Sequence, residues 1–196
     1  LQFNGAAGSL PQTSIKIRGG RGRIPLKWPP ERQVKQGDIS IAALYHKQLN
    51  VGKIRGKIHQ TPTGFTFKGW HINRLLPEMS LNFSGDAELL DTKNPMTKVN
   101  FDLLRPDQAA EIDLGKFLPG SEGVKINGKL ILTGNLAADR TGFKGAIDLQ
   151  VQNANLRIKK DKFEIEGIQL SLSIPKLPGI RSAAGQHLVF SKIALG

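Results

Sequence analysis

Four histidines, His46, His59, His71 and His187, are the residues of this sequence best suited to hold a metal or move a proton. No two of them stand at the i, i+4 spacing that brings imidazoles together on a helix, and no carboxylate lies at motif distance. Each therefore reads as a polar-face strand residue. Serine occurs in no Gly-x-Ser-x-Gly elbow, and no Gly-x-x-x-x-Gly-Lys-Ser/Thr loop is present. Asp86 and Glu88 share one strand face, but nothing brings a second carboxylate to a reacting centre. The absence of cysteine excludes a thiolate zinc site, a cysteine nucleophile and a disulfide scaffold. The sequence thus offers no catalytic constellation, and neither enzymatic activity, a cofactor nor a metal is expected of it.

Charge is the strongest chemical signal. The 196 residues carry a formal net charge of +12, which attracts polyanions of any kind. Lys16, Arg18, Arg21, Arg23 and Lys27 are threaded with Gly19, Gly20 and Gly22. Gly19-Gly20-Arg21-Gly22 has the composition of a phosphate-cradling loop but not the helix that should follow it. Lys53, Arg55 and Lys57 alternate along an expected strand and so share a face. Arg157, Lys159, Lys160 and Lys162 form a third set. A nucleic-acid-binding barrel is the weakest of the readings, because Phe65, Phe67, Phe143 and Phe163 fall on apolar faces rather than on exposed stacking platforms. No nucleic-acid partner is expected.

The elements that must position these residues are strands. Val124, Ile126, Leu130 and Leu132 alternate with Lys125, Asn127, Lys129 and Ile131. Phe143, Ile147, Leu149 and Val151 alternate with Lys144, Ala146, Asp148 and Gln150, and the polar stretch 135–142 joins the two series. Further strands are expected at 12–18, 24–28, 38–45, 49–59, 63–72, 79–90, 97–104, 154–159, 162–174 and 187–195. Short helices are expected only around 31–36 and 111–118. The fold class is all-β: an antiparallel sheet, elongated, twisted and curled into a trough or an open sandwich. Residues 1–196 read as one β-rich section of a larger protein, with a sub-boundary near 105–122. No apolar run approaches the 18 residues of a spanning helix, and any signal or anchor is expected outside this sequence.

Two segments repeat in form, Phe65-Thr66-Phe67-Lys68-Gly69-Trp70-His71-Ile72 and Phe163-Glu164-Ile165-Glu166-Gly167-Ile168-Gln169-Leu170. In each, the apolar series changes phase after a charged residue and a glycine. A β-bulge at Lys68-Gly69 and at Glu166-Gly167 would absorb the change and bend the sheet. One-sided apolar strands curled by bulges make a concave apolar face. It either meets a second sheet or stays open as a groove. The candidate lining is Phe65, Phe67, Val124, Ile126, Leu130, Leu132, Phe143, Ile147, Leu149, Phe163, Ile165, Leu170 and Leu172, with a basic rim of Lys53, Arg55, Lys57, Lys125, Lys129 and Lys144.

The second half carries a resemblance. Its motifs are Ile112-Asp113-Leu114-Gly115-Lys116-Phe117-Leu118, Val124-Lys125-Ile126-Asn127-Gly128-Lys129-Leu130, Asn153-Ala154-Asn155-Leu156-Arg157, Gly167-Ile168-Gln169-Leu170-Ser171-Leu172, Ile174-Pro175-Lys176-Leu177-Pro178-Gly179-Ile180-Arg181-Ser182 and Gly185-Gln186-His187-Leu188. In this order they resemble the YdbH-like members of the AsmA-like superfamily, large envelope proteins of Gram-negative bacteria. The match covers roughly residues 110–196. The resemblance implies a periplasmic bridge that carries phospholipid between membranes, acyl chains in an apolar trough, with an inner-membrane anchor lying outside this sequence. Phospholipid or another acyl lipid, an anionic membrane surface and envelope proteins are the partners it implies. The alternative is a structural module of the envelope that binds proteins through its sheet edges.

Overall fold

A computed structural model of the chain describes residues 1–10, 14–26, 36–76, 78–89, 95–107, 110–116, 120–158, 160, 162–179 and 181–195. The strands are β1 (Gln2–Leu10), β2 (Ile15–Arg23), β3 (Gly37–His46), β4 (Leu49–Gln60), β5 (Gly64–Asn73), β6 (Ser80–Glu88), β7 (Met96–Arg105), β8 (Ile112–Asp113), β9 (Val124–Asp139), β10 (Gly142–Ile158), β11 (Phe163–Leu177), β12 (His187–Val189) and β13 (Lys192–Leu195). They form one open sheet in the order β1-β2-β3-β4-β5-β6-β7-β9-β10-β11-β12, with β8 added on β9 and β13 on β11. The protein is all-β. Backbone contacts divide the chain into two units, residues 1–102 with 135–144, and residues 103–134 with 145–196.

Several elements differ from the sequence expectation. Residues 2–10, where no strand was expected, form β1. The glycine-rich basic run is strand rather than loop, because β2 continues through Gly19-Gly20-Arg21-Gly22 to Arg23. Ile24–Leu26 are not strand, and the rest of 24–28 lies outside the described residues. The turn expected over 135–142 shrinks to Arg140-Thr141, where Asp139 Oδ1 accepts from the Thr141 amide at 2.7 Å. The helix expected at 111–118 is replaced by β8 and a single 3-10 turn, Leu114–Lys116, started by the Asp113 carboxylate accepting from Gly115 N. That expected at 31–36 falls almost wholly outside the described residues.

The first unit is a meander of antiparallel neighbours. Paired residues share a face, so register sorts the side chains. One face holds Ile39, Ile41, Ile54, Ile58, Phe65, Phe67, Leu81 and Phe83; the other holds Arg21, Arg23, Lys53, Arg55, Lys57, Lys68 and Trp70. The bulge expected at Lys68-Gly69 is not there, since β5 keeps unbroken register with both β4 and β6. Gly69 serves a different need. A Cβ on it would lie 2.6 Å from the Phe83 ring, and one on Gly85 would lie 2.7 Å from the Phe67 ring. Each phenylalanine lies over the glycine paired with it on the neighbouring strand, and the two rings are 6.5 Å apart. Trp70 consequently takes the polar face.

The second unit contains the bulge expected at Glu166-Gly167. Between the pairs Leu156↔Ile165 and Ala154↔Ile168, β11 uses one residue more than β10. A matching irregularity on β10 lies between Val151 and Ala154, where Asn153 has φ 50. Together they keep Ile147, Leu149, Val151, Ala154 and Leu156 on one face with Ile174, Leu172, Leu170, Ile168 and Ile165. Two asparagines tie the strands at this line: Asn155 N donates to Asn127 Oδ1 at 3.0 Å, and Gly167 N donates to Asn155 Oδ1 at 3.0 Å. Ser191, between β12 and β13, continues the line by donating its amide to Glu166 O at 2.9 Å. Nearby, Arg105 is 3% exposed and donates from Nη1 to Gly128 O and from Nη2 to Ala110 O at 2.6 Å. It satisfies carbonyls where the chain leaves β7 for β8. At the far end of β11, the Gln186 amide bonds both the N–H and the carbonyl of Ser173, in place of a strand backbone.

Candidate functional site

Alternating apolar and polar side chains give each unit one oily and one wet face. Ile58 and Ala154 are the buried apolar side chains there. Of the proposed lining, Phe65, Phe67, Val124, Ile126, Leu130, Leu132, Ile147, Leu149, Phe163, Ile165, Leu170 and Leu172 are all half-buried, and Phe143 is exposed. The register brings Phe65 and Phe67 to one face of β5, beside Gln60 and Ile58 of β4. In the second unit it brings Leu149 opposite Leu172, and places Leu170, Ile165 and Phe163 on that same side. Val124, Ile126, Leu130 and Leu132 lie on β9. The oily face of the first unit carries one titratable misfit, His71, paired with Ile54 and Leu81. Its Nε2 is buried without a hydrogen-bond partner. Burial pushes its pKa below the ordinary histidine value, opposed by a hydrogen bond to the Val51 backbone.

Lys53, Arg55 and Lys57 stand on the face of β4 opposite Ile54, Gly56 and Ile58. Lys57 is ion-paired with Asp38, whose carboxyl this bond holds below the usual range. Lys125 pairs with Glu111 at 2.9 Å. Lys129 is half-buried on β9, and Lys144 is exposed on β10; the Asp139 carboxyl is held below its usual range by hydrogen bonds from the Thr141 hydroxyl and amide, with a smaller contribution from the Lys144 charge. Arg157 is held between Glu164 at 2.5 Å and Glu111 at 3.5 Å, and the Glu164 bond raises its pKa.

On the wet face of the first unit lies a concavity of about 530 Å³, which sequence reasoning missed. Its walls are Arg21, Arg23, Arg55, Lys57 and Trp70, with Asp38, Ser40, Asn4 and Gln2 between them. The signal was present in Arg21-Gly22-Arg23, whose i, i+2 spacing is that of one strand face, but a glycine-rich run reads as a loop. No group of three or more His, Asp or Glu able to hold a metal occurs among the described residues, and no helix there is long and apolar enough to cross a membrane. No protein-family model, curated protein or solved structure matches the chain.

Proposed function

We propose that this chain shields lipid acyl chains on the oily face of its sheet, as a non-enzymatic section of a bacterial envelope protein that supports phospholipid movement between membranes. The observation that carries the reading is the oily face itself. Aliphatic and aromatic side chains stand half-exposed in both units, and only Ile58 and Ala154 are buried apolar residues among those described. Each CH₂ of an acyl chain withdrawn from water onto such a surface is worth about 0.8 kcal/mol. The surface around Leu149, Leu172, Val151 and Leu170 asks for no hydrogen bonds, so a chain could slide along it without breaking any. The resemblance of residues 110–196 to the YdbH-like proteins points the same way and supplies the periplasmic setting.

A second reading rests on the edge. Leu188, Val189, Phe190, Ile193 and Leu195 are exposed on or beside β12 and β13, an outer edge of the sheet. An apolar edge of this kind suits a strand supplied by a protein partner.

Native mass spectrometry of the purified chain, with solvent extraction of bound material, decides between them. The expected result is co-purifying phospholipid or fatty acid, lost in Leu149→Glu and retained in Gln150→Glu, which places the same charge on the opposite face. Circular dichroism confirms the sheet in both variants. A lipid-free wild-type chain that also fails to take up acyl chains from liposomes overturns the lipid reading in favour of the edge.

A further inference from the structure

We propose that the concavity on the wet face of the first unit is a binding site for a phosphate ester, gripped by Arg21 and Arg55 on either side of Ser40. Strand register builds the site. Arg21 pairs with Ser40, Ser40 with Arg55 and Arg55 with Trp70, so the four form one row across β2, β3, β4 and β5. The adjacent row, two residues along each strand, is Arg23, Asp38, Lys57 and Lys68. Arg21 and Arg55 are two strands apart, about 9.6 Å at the usual strand spacing. Two guanidinium forks can span that gap onto one anion, with the Ser40 hydroxyl beneath it. Planar guanidinium groups match the paired oxygens of a phosphate.

The charge balance leaves the site short of anions. Its walls hold Arg21, Arg23, Arg55 and Lys57 against the single carboxylate of Asp38. Asp38 bonds Lys57, and no ion pair among the described residues engages Arg21, Arg23 or Arg55. A bound anion relieves the repulsion between these side chains. Its size is bounded by what lies beyond. On the same face, Thr66 next to Lys68 pairs with Asp86, and Asn82, paired with Trp70, donates to Asp102 at 2.8 Å. Carboxylates on that flank oppose a continuous polyanion and favour a compact one. Trp70, 40% exposed and on the same face as Ile72, offers its ring to the carbon portion of the ester. The site is on the opposite side of the sheet from the oily face, so it stands or falls independently of acyl-chain binding.

The phosphate could be carried by a lipid headgroup or by a soluble ester, and the two are separable. The chain contains two tryptophans, so a Trp28→Phe background makes Trp70 the sole reporter. Its fluorescence is titrated with glycerol 3-phosphate, with phosphatidylglycerol vesicles and with phosphatidylcholine vesicles. The expected result is a saturable change with glycerol 3-phosphate. Arg21→Gln/Arg55→Gln weakens it at least tenfold, and the charge-matched control Lys160→Gln/Arg181→Gln stays within twofold. Arg55→Lys, which keeps the charge and loses the fork, falls between and guards against misfolding of the double variant. The same ranking seen only with phosphatidylglycerol vesicles assigns the site to a headgroup. Equal loss in both double variants, no response to either phosphate probe, or tighter binding of a single-stranded oligonucleotide than of both overturns the proposal.

Discussion

Ala154 of β10 sits directly on Gly128 of β9: a Cβ built on Gly128 would come within 2.4 Å of Ala154 Cα and 2.6 Å of its Cβ. Gly128 also has φ 112, a conformation that side chains rarely adopt, and its carbonyl accepts from the buried Arg105. Close backbone approach, positive φ and a buried cation meet at one residue, on the line where β9, β10 and β11 are tied by Asn127 and Asn155.

Gly128→Ala is therefore expected to lower stability by roughly 2–5 kcal/mol, combining backbone strain with overpacking against Ala154. Urea unfolding of the variant beside wild type checks this. Gly120→Ala, at another positive φ but with open space around it, gives the contribution of strain alone. Equal effects at the two positions would remove the contact with Ala154 from the account.

In the first unit, Phe83 occupies the space over Gly69. Gly69→Ala must move that ring and also crowds the Arg55 carbonyl oxygen at 2.5 Å, at a cost of about 1–3 kcal/mol. Phe83→Leu, with a smaller and more flexible side chain, should recover part of the loss when combined with it. Strict additivity of the two changes in a double-mutant cycle would mean that the ring does not lean on this glycine.

His71 should make stability depend on pH. Its folded pKa is depressed by burial, so the folded state disfavours the charged ring while the unfolded chain titrates near 6.5. As pH falls through that value the unfolded state binds more protons, and stability is lost on the acid side. His71→Leu, facing Ile54 and Leu81, removes both the unpartnered Nε2 and this slope. Unfolding midpoints at pH 5, 6 and 7 are expected to show the variant gaining most over wild type at pH 5. Parallel curves for the two proteins would sink the assignment.

Period-2 alternation made the all-β class and most of the strands legible, because each strand has one oily face. It failed where the face carries no side chains. Gly20 and Gly22 end the apolar series of Ile15 and Ile17, so β2 was expected only as far as 18 and the part that holds Arg21 and Arg23 was missed. The phase change after Lys68-Gly69 looked like the one after Glu166-Gly167, yet only the second is a bulge. In the first, the resumed series is Trp70 and Ile72, which both stand on the wet face, paired with Arg55 and Lys53. Pairing register was invisible in one dimension, and the Arg21–Ser40–Arg55–Trp70 row exists only through register. The asparagines of the second unit stood in the motifs that resemble the YdbH-like proteins, but their role as ties across the bulges depends on which strands are neighbours.

Those ties are testable as a unit. Asn127 accepts from the Asn155 backbone, and the Asn155 side chain accepts from Gly167, so the two asparagines stitch three consecutive strands where the bulges interrupt the ordinary ladder. Asn155→Ala leaves the half-buried Gly167 amide without its acceptor and is expected to cost about 1 kcal/mol; Asn127→Ala does the same to the Asn155 amide. If the two bonds hold one bulge geometry, losing either loosens the other, and the double variant costs less than the sum by more than about 0.5 kcal/mol. Hydrogen exchange gives the local readout. The Gly167 amide should lose protection in Asn127→Ala as well as in Asn155→Ala, although Asn127 does not touch it. Protection at Gly167 unchanged by Asn127→Ala would separate the ties into two independent hydrogen bonds.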